Sequence, residues 1–354
     1  MRRLPLIDVL TARASGLIKE SLESELLPTE WRRQARRALQ TAKDAAQSFQ
    51  WPRRPQAINV EITAICDARC IHCPREDMER SQRPMPLDLF KKLVDEAAEL
   101  GVPDLCPNGF GEILTMRSFD EHLAYARSKP HRFRILVNTN GFRMDDEKIE
   151  SFLRHEVDLL NITLDGATAE TFEKIRVRLK LDQIEDNIRR LIKTRNDRGM
   201  TVPKIRVGMI AIPQNKHEHR ALLAKWQGVA DFVGIGGFTN RAGSLDENEL
   251  IPDAAQRLPS ESQAIEVGRR AARSCVLPFR DMNIWADGRA VLCCDDWNEE
   301  HVVGDLNTQT LSEIWHGPAL KHARSRHIAG LGEELEICRR CNMWRESPGA
   351  RLWS

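Results

Sequence analysis

Cys66-Asp67-Ala68-Arg69-Cys70-Ile71-His72-Cys73 sets three cysteines within eight residues, at the spacing C-x3-C-x2-C. The stretch follows a strand-like run, Ile58 to Thr63, so the thiols fall on the loop that leaves a strand. Three thiolates are one short of the four that usually hold an iron–sulfur cluster. A four-iron cluster held by three cysteines keeps one iron free for an outside ligand, and a free iron is where chemistry can occur. The competing readings are a zinc site or three incidental buried thiols. Structural zinc takes four tetrahedral ligands, often as two C-x2-C pairs. The only extra donor nearby is His72, which lies between two of the cysteines, where the loop would turn it elsewhere.

Working outward, strand-like and helical patterns alternate from residue 57. Ala57–Thr63, Asp104–Phe110, Arg132–Asn138, Asp158–Leu164, Lys204–Ala211 and Asp231–Gly237 read as strands. Stretches near 87–101, 117–128, 145–155, 168–198 and 216–228 read as helices. Six strands separated by helices predict a parallel sheet with right-handed crossovers. The roughly 180 residues from 57 to 240 fall short of the ~250 of a closed eightfold barrel. The expected fold is therefore α/β, a partial, open (β/α)6 barrel. Around it the sequence suggests a helical N-terminal extension over 1–56 and a polar linker with a helix over 241–272. A small C-terminal α+β domain follows over 273–354.

Nine cysteines is an odd number, which argues against a closed disulfide framework. Their clustering points to metal instead. Cys275, Cys293, Cys338 and Cys341 lie in the C-terminal segment, and Trp285-Ala286-Asp287-Gly288 reads as a hairpin turn that brings Cys293 back beside Cys275. Four thiolates can close an iron–sulfur cluster completely, or a tetrahedral zinc. Cys106 and Cys294 are left over. Read alone, each is the common inert buried thiol.

Further motifs fall at successive strand ends, where barrels carry their chemistry. After the second strand comes Asn108-Gly109-Phe110-Gly111-Glu112-Ile113-Leu114. Glycines allow close backbone approach, and a carboxylate or carbonyl accepts from an ammonium. Asn138-Thr139-Asn140-Gly141 ends the third strand, and Ile162-Thr163-Leu164-Asp165-Gly166 ends the fourth. Phe172-Glu173-Lys174-Ile175-Arg176 follows, and an arginine fork there suits a carboxylate, against the plainer reading of a surface arginine. Val207-Gly208-Met209-Ile210 and Asn215 mark the fifth.

Together these residues resemble the radical S-adenosylmethionine (radical SAM) family, with His72 in the aromatic slot of its C-x3-C-x-aromatic-C signature. The C-terminal cysteines resemble a SPASM domain in its shortened, twitch form, because the chain ends soon after Cys341. Two departures stand out: Phe110 is inserted in the family's Gly-Gly-Glu-Pro segment and Ile113 replaces its proline. Thr163 stands for a serine and keeps the hydroxyl. The resemblance implies a SAM-binding [4Fe-4S] cluster on Cys66, Cys70 and Cys73, and one auxiliary [4Fe-4S] cluster on Cys275, Cys293, Cys338 and Cys341. It implies SAM contacts from His72, Gly109, Gly111, Glu112, Asn140, Thr163, Asp165, Arg176, Gly208 and Ile210.

The implied activity is reductive cleavage of SAM to a 5′-deoxyadenosyl radical, which abstracts a hydrogen atom from the substrate. Oxidation follows if an electron passes to the auxiliary cluster, and epimerisation if a cysteine such as Cys106 or Cys294 returns a hydrogen atom. Loss of water or carbon dioxide from a sugar is a third route. A small polar substrate, aminosugar- or nucleoside-like, is expected over a peptide, since residues 1–56 are too short and too helical for a winged-helix peptide-recognition domain. Peptide oxidation or epimerisation is the alternative. A non-catalytic iron–sulfur or zinc scaffold would have a damaged SAM site, and the glycine, hydroxyl and arginine features are all present. The expected redox partner is an electron donor such as flavodoxin or ferredoxin.

Composition fits a soluble globular protein: 41% hydrophobic, 30% charged and a net charge of +1. That balance offers no electrostatic argument for nucleic acid or a membrane surface. No apolar run approaches the ~20 residues of a bilayer span. The basic start lacks the continuous apolar core of a secretory signal, so a cytoplasmic address is expected. Residues 1–56 hold 11 Lys/Arg against 6 Asp/Glu, a local net of +5. They are read as a solvated helix face, a lid, or a contact to an anionic partner.

Overall fold

The computed structural model describes residues 52–245 and 275–343. The N-terminal extension up to residue 51 and the helix expected near 260–273 lie outside the described residues. The strands are β1 (Ala57–Val60), β2 (Arg69–Cys70), β3 (Asp104–Cys106), β4 (Arg134–Thr139), β5 (Leu159–Thr163), β6 (Arg176–Val177), β7 (Lys204–Ile210), β8 (Phe232–Gly236), β9 (Asp281–Ile284), β10 (Arg289–Val291) and β11 (Val302–Asp305). The helices are α1 (Leu87–Leu100), α2 (Phe119–Arg127), α3 (Asp146–Arg154), α4 (Ala169–Ile175), α5 (Leu181–Asp197), α6 (His219–Trp226), α7 (Leu277–Arg280), α8 (Leu311–Trp315), α9 (Pro318–Ile328) and α10 (Glu336–Arg340).

β1, β3, β4, β5, β7 and β8 are neighbours in that order and all parallel, which is the expected partial barrel. Alternation explains its two faces. In β7, Ile205, Val207 and Met209 are buried while Lys204, Arg206 and Gly208 are not. The apolar set packs on the outer helices, where α1 presents Phe90, Leu93, Val94 and Ala97 as one buried stripe. Fully burying such a side chain stabilises by about 1.5–3 kcal/mol. Gly101 ends α1 in the left-handed conformation, φ 66°, and its N–H returns to Ala97 and Ala98. The opposite, concave face carries a linked set of carboxamides beside Leu136 and Leu159. Asn59 donates from Nδ2 to Asn283 Oδ1 (3.0 Å), Asn161 donates to Asn138 Oδ1 (3.1 Å), and the Asn138 N–H donates to Asn108 Oδ1 (2.7 Å).

Two features depart from the sequence reading. The helical pattern at 168–198 is broken in two, because the chain leaves α4 to form β6, which pairs antiparallel with β2. The C-terminal segment also continues the barrel's own sheet. β9 runs parallel to β1 in the register Ala57↔Asp281 to Val60↔Ile284, and β10 and β11 extend the edge antiparallel. A buried knot ties this segment down: Arg80 forks onto Glu61 (2.6 and 2.8 Å), donates to the Trp297 carbonyl and lies over the Trp285 ring. Among the described residues no helix is long and apolar enough to cross a membrane.

Candidate functional site

The Cys66–Cys73 loop leaves the C-terminal end of β1 and is held from two sides. On one side, Ile65 accepts from the Glu112 backbone N–H (2.8 Å), so the glycine-rich loop after β3 is laced to it. That approach is possible only because residue 111 is glycine: a Cβ there would lie 2.1 Å from the Thr63 carbonyl oxygen. On the other side, β2 pairs with β6 so that Cys70 sits opposite Arg176, and the Ile71 N–H donates to the Ile175 carbonyl (3.0 Å). Cys66, Cys70 and Cys73 are half-buried free thiols. Burial pushes Cys66 up to about 12 and Cys70 to about 11, the latter despite the Arg176 charge. Cys70 lies within electrostatic reach of both of the others.

Two hydrogen-bonded networks surround the loop. In the first, the Glu112 carboxylate accepts from the Leu114 N–H (3.2 Å), Thr139 Oγ1 (2.6 Å) and the Asn140 N–H (2.7 Å). The carboxylate therefore organises the turn after β4, with burial pushing it up to about 7 against those donors. Of the two acceptors the sequence offers an ammonium, carboxylate or carbonyl, the carboxylate is engaged here by these three donors. Asn140 in turn donates to Asp67 Oδ1 (2.8 Å), and Arg143 holds the other oxygen (2.8 Å). Asp67, inside the cysteine loop, carried no sequence signal beyond its position. Gly109 is packed on the Glu61 side chain, where a Cβ would lie 2.4 Å from Cγ.

The second network centres on Asp165, which is fully buried. It accepts from Arg176 Nε (2.7 Å) and the Ile210 N–H (2.9 Å), and His72 Nε2 lies 3.3 Å away. Asn215 donates to the carbonyls of Asp165 and Ile210. Burial drives His72 down to about 4, so its ring is neutral, and its Nδ1 is buried with no partner among the described residues. Burial works against the Arg176 charge, but Asp165 and Cys70 outweigh it and the net direction is upward. Nε is the only Arg176 nitrogen that donates among the described residues, which leaves its terminal nitrogens for an outside acceptor. Thr163 and Gly208 face each other in register on β5 and β7.

The second thiol set lies around one cavity. Cys275, Cys293, Cys338 and Cys341 line it with Asp295 and His327. The hairpin turn works as its sequence suggests, with Gly288 at φ 95° and its N–H donating to the Trp285 carbonyl (2.9 Å). Burial raises Cys275 to about 12 and Cys293 well above the usual thiol range. Asp295 is buried: Oδ1 accepts from Arg241 Nη1 (2.8 Å), while Oδ2 has no partner among the described residues. Arg241, on the loop after β8, thus pairs with a residue lining the second cavity and also lies within electrostatic reach of Cys73 and of Cys294. Asp295, Arg241 and His327 are polar residues far apart in sequence, and no motif marked them. Of the two leftover thiols, Cys106 is buried opposite Asn59 in the β1–β3 register, and Cys294 adjoins the second set; burial holds both well above the usual thiol range.

The residues present fit the groups expected of them. None of the thiols is joined in a disulfide, and among the described residues no three His, Cys, Asp or Glu side chains converge where one ion would sit. A four-iron cubane offers a separate iron to each thiolate and needs no such convergence. The orphaned His72 Nδ1 and the uncommitted Arg176 nitrogens beside the first set suit a polar, carboxylate-bearing ligand.

Comparison with known proteins agrees with this layout. A radical SAM superfamily model matches residues 60–225, and an iron–sulfur cluster-binding domain model, SPASM, matches 275–342. The GTP 3′,8-cyclase of Chlorobaculum tepidum is 25% identical over 155 residues, and the chain spans only 46% of that protein's length. The S-adenosyl-L-methionine-dependent 2-deoxy-scyllo-inosamine dehydrogenase of Niallia circulans is 20% identical over 287 residues, covering 80% of this chain and 92% of the dehydrogenase. Among solved structures, Streptococcus suis SuiB bound to its precursor peptide SuiA superposes with a TM-score of 0.61 at 12% identity, over 90% of this chain and 80% of SuiB. A likeness at that identity speaks for the fold alone.

Proposed function

We propose that this chain, which belongs to the radical SAM superfamily and carries an iron–sulfur cluster-binding domain after the barrel, oxidises or epimerises a small polyhydroxylated or amino-substituted substrate. The family implies S-adenosylmethionine and two [4Fe-4S] clusters. When bound, these supply reductive cleavage of the sulfonium and the hydrogen-atom abstraction that follows. Cys66, Cys70 and Cys73 would hold the first cluster, and Cys275, Cys293, Cys338 and Cys341 the second. Arg176 would bind the carboxylate of SAM, with Asp165 fixing its orientation through Nε. Asp165 also receives the Ile210 N–H, so it couples that clamp to β7, where Gly208 leaves room for the adenosine.

The observation that carries the substrate class is the concave face of the sheet. It bears Asn59, Asn138, Asn161 and Arg206, with Asn108 on the loop after β3, alongside the paired Leu136 and Leu159. Carboxamides both donate and accept, which matches hydroxyl and amino groups. The relative from Niallia circulans, named as a dehydrogenase of an aminated cyclitol, supports that class. The second thiol set favours net oxidation, because once the hydrogen atom is taken the substrate radical must give up one more electron, and a cluster there would accept it. A peptide substrate is the second reading, supported by a likeness to the PqqA peptide cyclase of Granulibacter bethesdensis, 23% identical over 310 residues. Electrons for the first cluster would come from a carrier such as flavodoxin or ferredoxin.

One feature supports epimerisation as the other outcome: Cys106 lies in the inner row of β3, and burial keeps it as the S–H form that a hydrogen-atom donor requires. Turnover in deuterated solvent separates the outcomes. Deuterium at one carbon of an otherwise unchanged skeleton, lost in Cys106→Ser, supports epimerisation. A product two electrons more oxidised, formed equally by Cys106→Ser, supports dehydrogenation. Failure of an aminocyclitol or aminosugar panel alongside turnover of a peptide would overturn the small-substrate reading.

A further inference from the structure

His327, at the end of α9, joins two of the four C-terminal cysteines. The Cys275 backbone N–H meets its Nδ1 at 3.4 Å, and its Nε2 lies 3.5 Å from Cys338 Sγ. The geometry assigns the ring's tautomer. A backbone N–H can only donate, so Nδ1 is the accepting nitrogen, and the proton of the neutral imidazole is on Nε2. Nε2–H then points at a thiol sulfur. The ring is 1% exposed, so water does not compete for either nitrogen.

We propose that His327 is a positioning residue of the second cluster that donates an N–H···S hydrogen bond to the Cys338 thiolate and raises that cluster's reduction potential. The inference rests on the reading that Cys275, Cys293, Cys338 and Cys341 hold an iron–sulfur cluster. Hydrogen bonds to ligating sulfur stabilise the more negative, reduced state more than the oxidised one, and they are among the levers that set such potentials. The same ring fixes the Cys275 backbone, so one side chain sets both the position and the electronics of two ligands. Asp295 acts in the opposite sense. It is a buried carboxylate at the same cavity, and its charge is offset by Arg241.

The test uses the full-length chain with Cys66, Cys70 and Cys73 replaced by alanine, so that the second cluster is the sole paramagnetic centre. After anaerobic reconstitution, about four irons per chain establish the parent; fewer would overturn the cluster reading itself, whatever His327 does. Midpoints are then taken by dye-mediated titration followed by electron paramagnetic resonance. His327→Leu should load and show about a tenfold lower reduced-to-oxidised ratio at a fixed poise, a downward shift of about 59 mV for one electron. His327→Gln, which keeps an N–H donor, should recover most of that shift. Unchanged midpoints in both variants, or an equal shift in both, would overturn the hydrogen-bond assignment while leaving the cluster in place.

Discussion

Replacing Asp165 with asparagine removes one negative charge from the centre of the candidate SAM site and almost nothing of its volume. The carboxylate is fully buried and Arg176 is 9% exposed, so the variant strands a guanidinium where water cannot reach it well. Breaking a buried pair by removing one partner costs about 3–5 kcal/mol. Against the 5–15 kcal/mol of an ordinary domain, the chain should stay folded with a sharply lower denaturant midpoint. Urea unfolding of the metal-free protein measures the cost. Arg176→Met and the double variant complete a cycle, and the double should be at least ~2 kcal/mol more stable than the sum of the singles, because it leaves no unpaired charge. A functional readout follows from the same geometry. Arg176→Met should weaken SAM binding about ten- to a hundredfold, the worth of one or two charge-assisted hydrogen bonds. Additive losses, with SAM affinity unchanged in Arg176→Met, would refute both the pairing and the role given to Arg176.

Other outcomes follow from single residues. Glu112 has an ordinary value near 4.5 and is raised to about 7 in the folded chain. The native state therefore binds more protons than the unfolded one between those values, and stability falls as pH rises through that window. Glu112→Gln should abolish a loss on the order of 2–3 kcal/mol between pH 5 and 7.5, read as the difference in denaturation midpoints. Gly111→Ala drives a Cβ to 2.1 Å from a backbone oxygen that cannot rotate away. It should cost about 3 kcal/mol or more and should lower iron loading at the neighbouring cysteine loop. Cys70→Ala should cut iron from about eight to about four per chain and end 5′-deoxyadenosine release with dithionite, while the second cluster's spectrum persists. Four irons and one zinc in the unmutated protein would instead point to a zinc site at the C-terminal cysteines.

Much was legible in the sequence because much of it is local. Six strands and the helices between them show as apolar runs whose period changes, and all six parallel strands stand where those runs lie. Cys66, Cys70 and Cys73 share one loop, and the motifs around Gly111, Asn140 and Asp165 each end a strand, so chain order alone lines them up along one rim of the sheet. The single helix expected over 168–198 shows where that logic stops. Its pattern carries no mark of the break at Arg176, because the break satisfies a partner, Cys70, more than a hundred residues earlier.

What the tertiary structure alone decided are the pairings between distant segments. Glu112 turned inward to serve Thr139 and Asn140, and Arg176 met Asp165, because buried polar groups must find partners and the nearest donors were on other loops. The hairpin of the C-terminal segment joined the barrel sheet through β9 and β1, as an open strand edge with unpaired backbone invites. His327 reached Cys275 and Cys338, and Arg241 met Asp295 at the second cavity, by packing that no spacing announces. The residue types and the strand periods thus determined which chemistry the chain can hold. The burial of charges and hydrogen-bonding groups, which is a property of the folded chain alone, decided how they are arranged to perform it.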